Sequence, residues 1–223
     1  MKTVIIIPAR YGSSRYEGKP LININKIPLV IRVVRKCIKA LGKQSVFVAT
    51  DDKRISTVVE DYGYNYIMTS KKNLTGTDRV AEASKKINAD IIVNVQGDEP
   101  LINPQDIKKV IDQKKKKMSH VVCAYCELRR DENSNRRTIP KVVFNENKEL
   151  LYISRSPIPV SKKKENKIKY FKQVCIYAFT KNELNFFRGF NRKSKIEKIE
   201  DVEILRFFET NKKIKMVKVS NSA

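Results

Sequence analysis

An α/β fold, a mostly parallel sheet with helices on both faces, is predicted by three observations. Short β-branched apolar runs alternate with segments of helical apolar spacing through the first half of the chain. That alternation reads β-loop-α-β-α-β-α-β-α, the pattern of parallel strands joined by covering helices. The 223 residues are 41% hydrophobic, enough for one such core with an insertion, or at most two small domains.

Each element has a local reason. Residues 3–8 (TVIIIP) form a buried strand, continuous, β-branched and closed by proline. A loop rich in Gly, Ser and Arg follows, from Arg10 to Pro20. Residues 28–41 carry apolar residues at helical spacing, with Gly42 just past the end as a C-cap. Strands are expected at 45–50, 64–69 and 90–96, and helices at 53–62, 78–87 and 103–116. The second half adds strands from HVVCAYCEL, PKVVFN, ELLYISRSPIP and YFKQVCIYAF, a helix over 181–189, and a last strand at 215–219. One helix is predicted over 198–210, from apolar residues at 199, 202, 204, 205, 207 and 208. The whole chain, 1–223, reads as a single domain, with an inserted strand layer around residues 125–172.

The formal charge is +23, from 47 Lys+Arg against 24 Asp+Glu. Such a balance suits an anionic partner: nucleic acid, a membrane surface or a phosphorylated small molecule. Lys outnumbers Arg 33 to 14, however, and the runs at 114–117 and 162–164 lack interleaved aromatics. Nucleic-acid binders gather Arg and aromatic residues on one face, so these lysines read as solvated surface. No apolar run reaches the roughly 18 residues of a membrane span, and the start lacks a signal-peptide pattern. Four Cys, at 37, 123, 126 and 175, do not make a secreted disulfide framework. The expectation is a soluble cytoplasmic protein with reduced thiols. Cys123 and Cys126 form C-x-x-C, but positions three apart on a strand face opposite sides, which argues against a metal site.

Three segments carry chemistry. Residues 8–20 (PARYGSSRYEGKP) follow the first strand, where open α/β sheets bind ligands. Backbone N–H groups there can cradle phosphate, and Arg10, Arg15 and Lys19 can neutralise it. Pro20 stands where a Walker loop needs Ser or Thr, and the G-x-G-x-x-G pattern is absent. Residues 94–100 (NVQGDEP) end another strand, where Gly97 lets the chain turn and present Asp98. A carboxylate facing a triphosphate commonly holds Mg²⁺. Residues 75–79 (TGTDR) open a helix with Thr77 as the expected N-cap.

Together these segments resemble the sugar-acid cytidylyltransferases, most closely the 3-deoxy-manno-octulosonate (Kdo) cytidylyltransferases. The shared blocks are 5–21, 48–52, 75–83, 91–102, 152–159, 175–179 and 199–207, nearly the length of the chain. The first and fourth, in this order and spacing, are the specific ones. The resemblance implies a Rossmann-like nucleotidyltransferase fold and the reaction of CTP with an α-keto sugar acid to give the CMP-sugar and pyrophosphate. It implies catalysis by positioning and charge stabilisation, with Mg²⁺ bridging phosphates. Arg10, Ser13, Arg15 and Lys19 are then similar to triphosphate ligands, with Arg10, Lys19 and Asp98 as the catalytic set and Asp98 as the metal ligand. Ala9, Thr75, Gly76, Thr77 and Arg79 correspond to the cytidine pocket. Gln96, Arg155, Gln173, Tyr177, Glu200 and Glu203 correspond to the sugar-acid side. A homodimer is implied, as is a role in lipopolysaccharide or similar surface polysaccharide synthesis.

Three departures stand out. Gln173 occupies the place of a family His; Gln hydrogen-bonds but does not titrate near neutrality. That leaves the acceptor open between Kdo, a close analogue and a nonulosonic, sialic-type acid. Residues 26–28 (KIP) replace the usual Gly-Lys-Pro before the first helix, a change of turn geometry. The family also continues past Ala223 with a segment whose first Asp ligates metal. The expectation is therefore a chain that binds CTP but turns over slowly, with a catalytically impaired nucleotide-binding homologue as the alternative.

Overall fold

The computed structural model describes residues 1–12, 16–163 and 168–220. Its strands are β1 (Thr3–Ala9), β2 (Asn23–Ile24), β3 (Ile27–Pro28), β4 (Val46–Thr50), β5 (Asn65–Met68), β6 (Ile91–Val95), β7 (Val121–Glu127), β8 (Lys141–Phe144), β9 (Leu150–Ser154), β10 (Phe171–Thr180) and β11 (Ile214–Lys218). Its helices are α1 (Leu29–Leu41), α2 (Lys53–Asp61), α3 (Gly76–Ser84), α4 (Pro104–Lys116), α5 (Lys181–Gly189), α6 (Lys195–Glu200) and α7 (Leu205–Glu209).

The main sheet runs β11-β7-β10-β6-β1-β4-β5. Every neighbouring pair is parallel except the two made by β10, which runs against β6 and β7. The mostly parallel α/β prediction is therefore met. Successive side chains of β1 feed opposite faces: Ile5, Ile7 and Ala9 pack with α1, α2 and α4, while Val4 and Ile6 pack with α3, α5 and α7. Both faces are buried, so the strands read as continuous apolar runs. Each fully buried Ile is worth about 1.5–3 kcal/mol by transfer, which is why this layer dominates the core. Cys123 and Cys126 fall into the two different core layers, as their strand spacing dictates.

Caps fix the helix starts. Asn103 accepts from Gln105 N ahead of Pro104, and Thr180 with Glu183 makes a capping box for α5. Lys114, read from sequence as solvated surface, is instead fully buried, because Glu183 and the carbonyls of Met118 and His120 accept its three donors. Asn25 and Lys26 take left-handed φ in the turn between β2 and β3, just before α1. The inserted hairpin β8–β9 joins the sheet through Lys141 opposite Lys172 on β10.

The predicted single helix over 198–210 is two short helices instead. Asp201 adopts φ 48°, ψ 50° and ends α6; α7 begins only at Leu205. Ile199, counted in the helical stripe, is exposed, while Val202, Ile204, Leu205 and Phe207 are core. The break turns residues 201–203 toward the carboxyl edge of the sheet.

Candidate active site

The strand order reverses between β1 and β6: β4 lies on one side of β1, and β6 returns on the other. A crevice opens there at the carboxyl ends of the strands. It holds a cavity of about 450 Å³, within the range of small-ligand sites.

The loop after β1 forms one wall. Gly18 N donates to Tyr11 O at 2.9 Å, and Gly18 has φ +70°, so the loop closes on a left-handed glycine. Arg54 lies 3.2 Å over the Tyr11 ring, and its guanidinium pairs with Asp52 at 2.7 Å. Lys19 then enters the cavity and donates to Asp98 Oδ2 at 2.7 Å. Ala9 and Arg10 line the same wall. Ser13 and Arg15 lie outside the described residues.

The end of β6 forms the floor. A Cβ at Gly97 would fall 2.9 Å from the Pro8 carbonyl oxygen. The glycine is thus required by close approach of the β1 and β6 ends, and its φ is not positive. Asp98 is half-exposed beside Lys19. Glu99 next to it is pushed up to about 7 by burial, with the neighbouring Asp98 charge adding to the shift.

The start of α3 forms the third wall. Its N-cap is Thr75, which accepts from Asp78 N at 3.1 Å, not Thr77 as the sequence suggested. Both threonines are good caps, but the Thr75 hydroxyl also donates to Asp78 Oδ2 at 2.8 Å. Thr77 lies two residues further on, within the first turn, buried. Its N–H and that of Gly76 donate to Glu203 at 2.8 and 2.9 Å. Glu203 thereby satisfies helix-start donors that would otherwise face the cavity unpaired. Burial pushes the Glu203 carboxyl up, against the pull of its Thr77 and Gly76 donors. A Cβ at Gly76 would come 3.1 Å from Gln96 Nε2, so α3 and the end of β6 also touch closely. Arg79 is almost fully buried, held by Asp51 at 3.2 Å and Thr69 Oγ1 at 2.6 Å, with one edge on the cavity.

The structure brings Ala9, Arg10, Lys19, Thr75, Gly76 and Arg79 to one cavity with Gln96, Asp98 and Glu203. It does not bring Thr77, Arg155, Gln173, Tyr177 or Glu200 to that lining. Gln173 Nε2 donates to Tyr177 OH at 3.0 Å inside the sheet. Glu200 accepts from Ser154 Oγ and from Arg155 N, both at 2.8 Å, tying α6 to the end of β9. Leu29, Asn73, Leu74, Lys193 and Asp201 also line the cavity and were not foreseen. Nothing in sequence separates Lys193 from the other lysines, and Asp201 was hidden inside a predicted helix.

A basic loop after the first strand, a carboxylate at the adjoining strand end and a helix start across the crevice, on this sheet, are the frame of a nucleotidyltransferase. The chain belongs to the cytidylyltransferase family, whose family model matches residues 4–214. It is 37% identical to the 3-deoxy-manno-octulosonate cytidylyltransferase of Escherichia coli over 98% of this chain and 88% of that protein. It is also 37% identical to the 8-amino-3,8-dideoxy-manno-octulosonate cytidylyltransferase of Shewanella putrefaciens, over 100% and 92%. Among solved structures, CMP:2-keto-3-deoxy-manno-octonic acid synthetase complexed with CTP superposes with TM-score 0.90 at 37% identity, covering 98% of this chain and 90% of that one.

Proposed function

We infer that this chain transfers CMP from CTP to the anomeric hydroxyl of a 3-deoxy-α-keto sugar acid, Kdo or a close analogue, and releases pyrophosphate. The observation that carries this reading is the meeting of Lys19 with Asp98 where β1 and β6 part, on a fold shared with relatives named for that reaction. The anomeric hydroxyl gives up its proton to solvent as its oxygen attacks the α-phosphorus of CTP. The bond from that phosphorus to the bridging oxygen breaks, and the electron pair leaves with pyrophosphate. Arg10 and Lys19 stabilise charge on the phosphates, and the walls at Ala9 and Thr75–Gly76 hold the cytidine.

The residues fit a magnesium ion. Mg²⁺ in nucleotide sites takes one or two carboxylates and completes its shell with phosphate and water. Asp98 is such a carboxylate, half-exposed at the cavity. No group of three His, Cys, Asp or Glu forms an all-protein cage among the described residues. When bound, the ion would draw charge from the phosphates and lower the pKa of the attacking hydroxyl. On this reading the enzyme works as a homodimer in the cytoplasm and supplies activated sugar for lipopolysaccharide or a similar polymer.

Product analysis by mass spectrometry tests the reading. CMP-sugar and pyrophosphate in equal amounts are expected from CTP and the sugar acid. A CDP-sugar, or CMP without sugar, contradicts it.

A further inference from the structure

Asp52, the N-cap of α2, has a second task. Its Oδ1 accepts from Arg54 N and from Arg54 Nε, both at 2.9 Å, and its Oδ2 accepts from Arg54 Nη2 at 2.7 Å. Two side-chain bonds to one carboxylate fix the orientation of a guanidinium as well as its position. The group so held lies over the Tyr11 ring, 3.2 Å from its centroid. Arg54 falls outside the sequence blocks that carry the family resemblance.

Tyr11 in turn holds the far end of its own loop. Its carbonyl accepts from Gly18 N at 2.9 Å. Its ring lies against the same residue: a Cβ at Gly18 would come 3.2 Å from Tyr11 Cε2, Cζ and Oη. Only glycine combines that contact with φ +70°. Tyr11 is half-buried against the core layer that includes Ile55 and Val59 of α2. Lys19 comes next in the chain, enters the cavity and meets Asp98.

The contacts therefore run inward from α2, through Arg54 and the Tyr11 ring to Gly18, and so to Lys19. Among the described residues of the cavity lining, neither Tyr11 nor Arg54 appears. Whatever they do for a ligand is done through the loop.

We propose that Arg54 and Tyr11 are positioning residues for the nucleotide's phosphates: they hold the backbone at Gly18 so that Lys19 stands in place before CTP arrives. A cation placed in advance loses less freedom when its ligand binds. The proposal rests on CTP being the nucleotide and Lys19 a phosphate ligand, as inferred above.

Binding of CTP and of cytidine by the intact chain tests it, CTP by calorimetry and cytidine by competition. Cytidine has the base and ribose but no phosphate, so it does not depend on Lys19. Arg54→Ala is expected to weaken CTP binding about two- to fivefold, the worth of an exposed cation–π contact, and to leave cytidine unchanged. Arg54→Lys keeps the charge and loses the planar fork, and is expected to fall with Arg54→Ala. Tyr11→Phe keeps the ring and most of the affinity, whereas Tyr11→Leu loses it. The double variant Arg54→Ala/Tyr11→Leu loses no more than Tyr11→Leu alone, because the two side chains act as one unit. The Arg54 side chain is 58% exposed, so its removal leaves the fold intact, which a urea midpoint checks. Unchanged CTP affinity in Arg54→Ala overturns the proposal, as does an equal loss on CTP and cytidine. Full recovery in Arg54→Lys also overturns it, since charge alone would then account for the effect. A wild-type chain that binds no CTP overturns the underlying reading, and the proposal with it.

Discussion

Lys19 Nζ and Asp98 Oδ2 are 2.7 Å apart although 79 positions separate them in sequence. The pair joins the loop after β1 to the end of β6. On the magnesium reading proposed above, the ammonium sits on the carboxylate that the ion would take. Nucleotide phosphates can draw Lys19 away and leave Asp98 for the ion. Lys19→Met is therefore expected to tighten Mn²⁺ binding by the nucleotide-free protein several-fold, and Asp98→Asn to abolish it. Electron paramagnetic resonance of free Mn²⁺ measures both. In the presence of CTP and sugar acid, either variant is expected to lower turnover by about a hundredfold or more.

Gly97 lets two strand ends approach. A methyl group 2.9 Å from the Pro8 carbonyl oxygen meets backbone, which cannot swing aside. Gly97→Ala is expected to destabilise the fold by about 1–3 kcal/mol and to weaken CTP binding by displacing Asp98. Urea unfolding and a CTP titration measure the two effects.

Arg206 is buried between two carboxylates, Asp78 at 2.8 Å and Glu197 at 2.7 Å, and lies 3.7 Å from the Phe187 ring centroid. Asp78 sits on α3, so this triad anchors the helix whose start lines the cavity. Arg206→Ala leaves two buried carboxylates facing each other and is expected to cost about 3–5 kcal/mol. A triple replacement by apolar residues of similar volume is expected to cost much less. Denaturant midpoints compare them.

Glu99 sets a pH dependence. Its carboxyl holds its proton up to about 7 in the folded chain, because burial disfavours the anion, and releases it near the ordinary value of 4.5 when unfolded. The folded state therefore binds more protons between these values, and its contribution to stability falls as pH rises through that window. Glu99→Gln removes the buried charge. With chelator present, the variant is expected to match wild type near pH 4.5 and to exceed its stability by on the order of 2 kcal/mol at pH 8. Unfolding curves across pH measure this.

Much of the fold was legible because burial of both sheet faces leaves a direct mark: residues 4–7 and 91–93 can be little other than inner strands. Part of the cavity lining was legible for a related reason, since glycines and charged residues gather at two strand ends, in residues 8–20 and 94–100. The α6–α7 break was not. Helical spacing around residues 198–210 cannot register that Glu203 takes the N–H groups of Gly76 and Thr77, more than a hundred positions away. Those bonds reward the kink at Asp201. The N-cap was misread by two residues because Thr75 and Thr77 have the same chemistry, and only the geometry of Asp78 distinguishes them. The reversed direction of β10 leaves no mark in its own residues, being set by what it pairs with.

Pyrophosphate release from CTP by the 223-residue protein is the most direct measurement, taken with Mg²⁺ and with Kdo, its 8-amino analogue and N-acetylneuraminate in turn. Release with Kdo or the 8-amino analogue, and none with N-acetylneuraminate, is the expected result. Release with N-acetylneuraminate alone, or with none of the three despite CTP binding, would contradict the assignment of this chain to 3-deoxy-octulosonate activation.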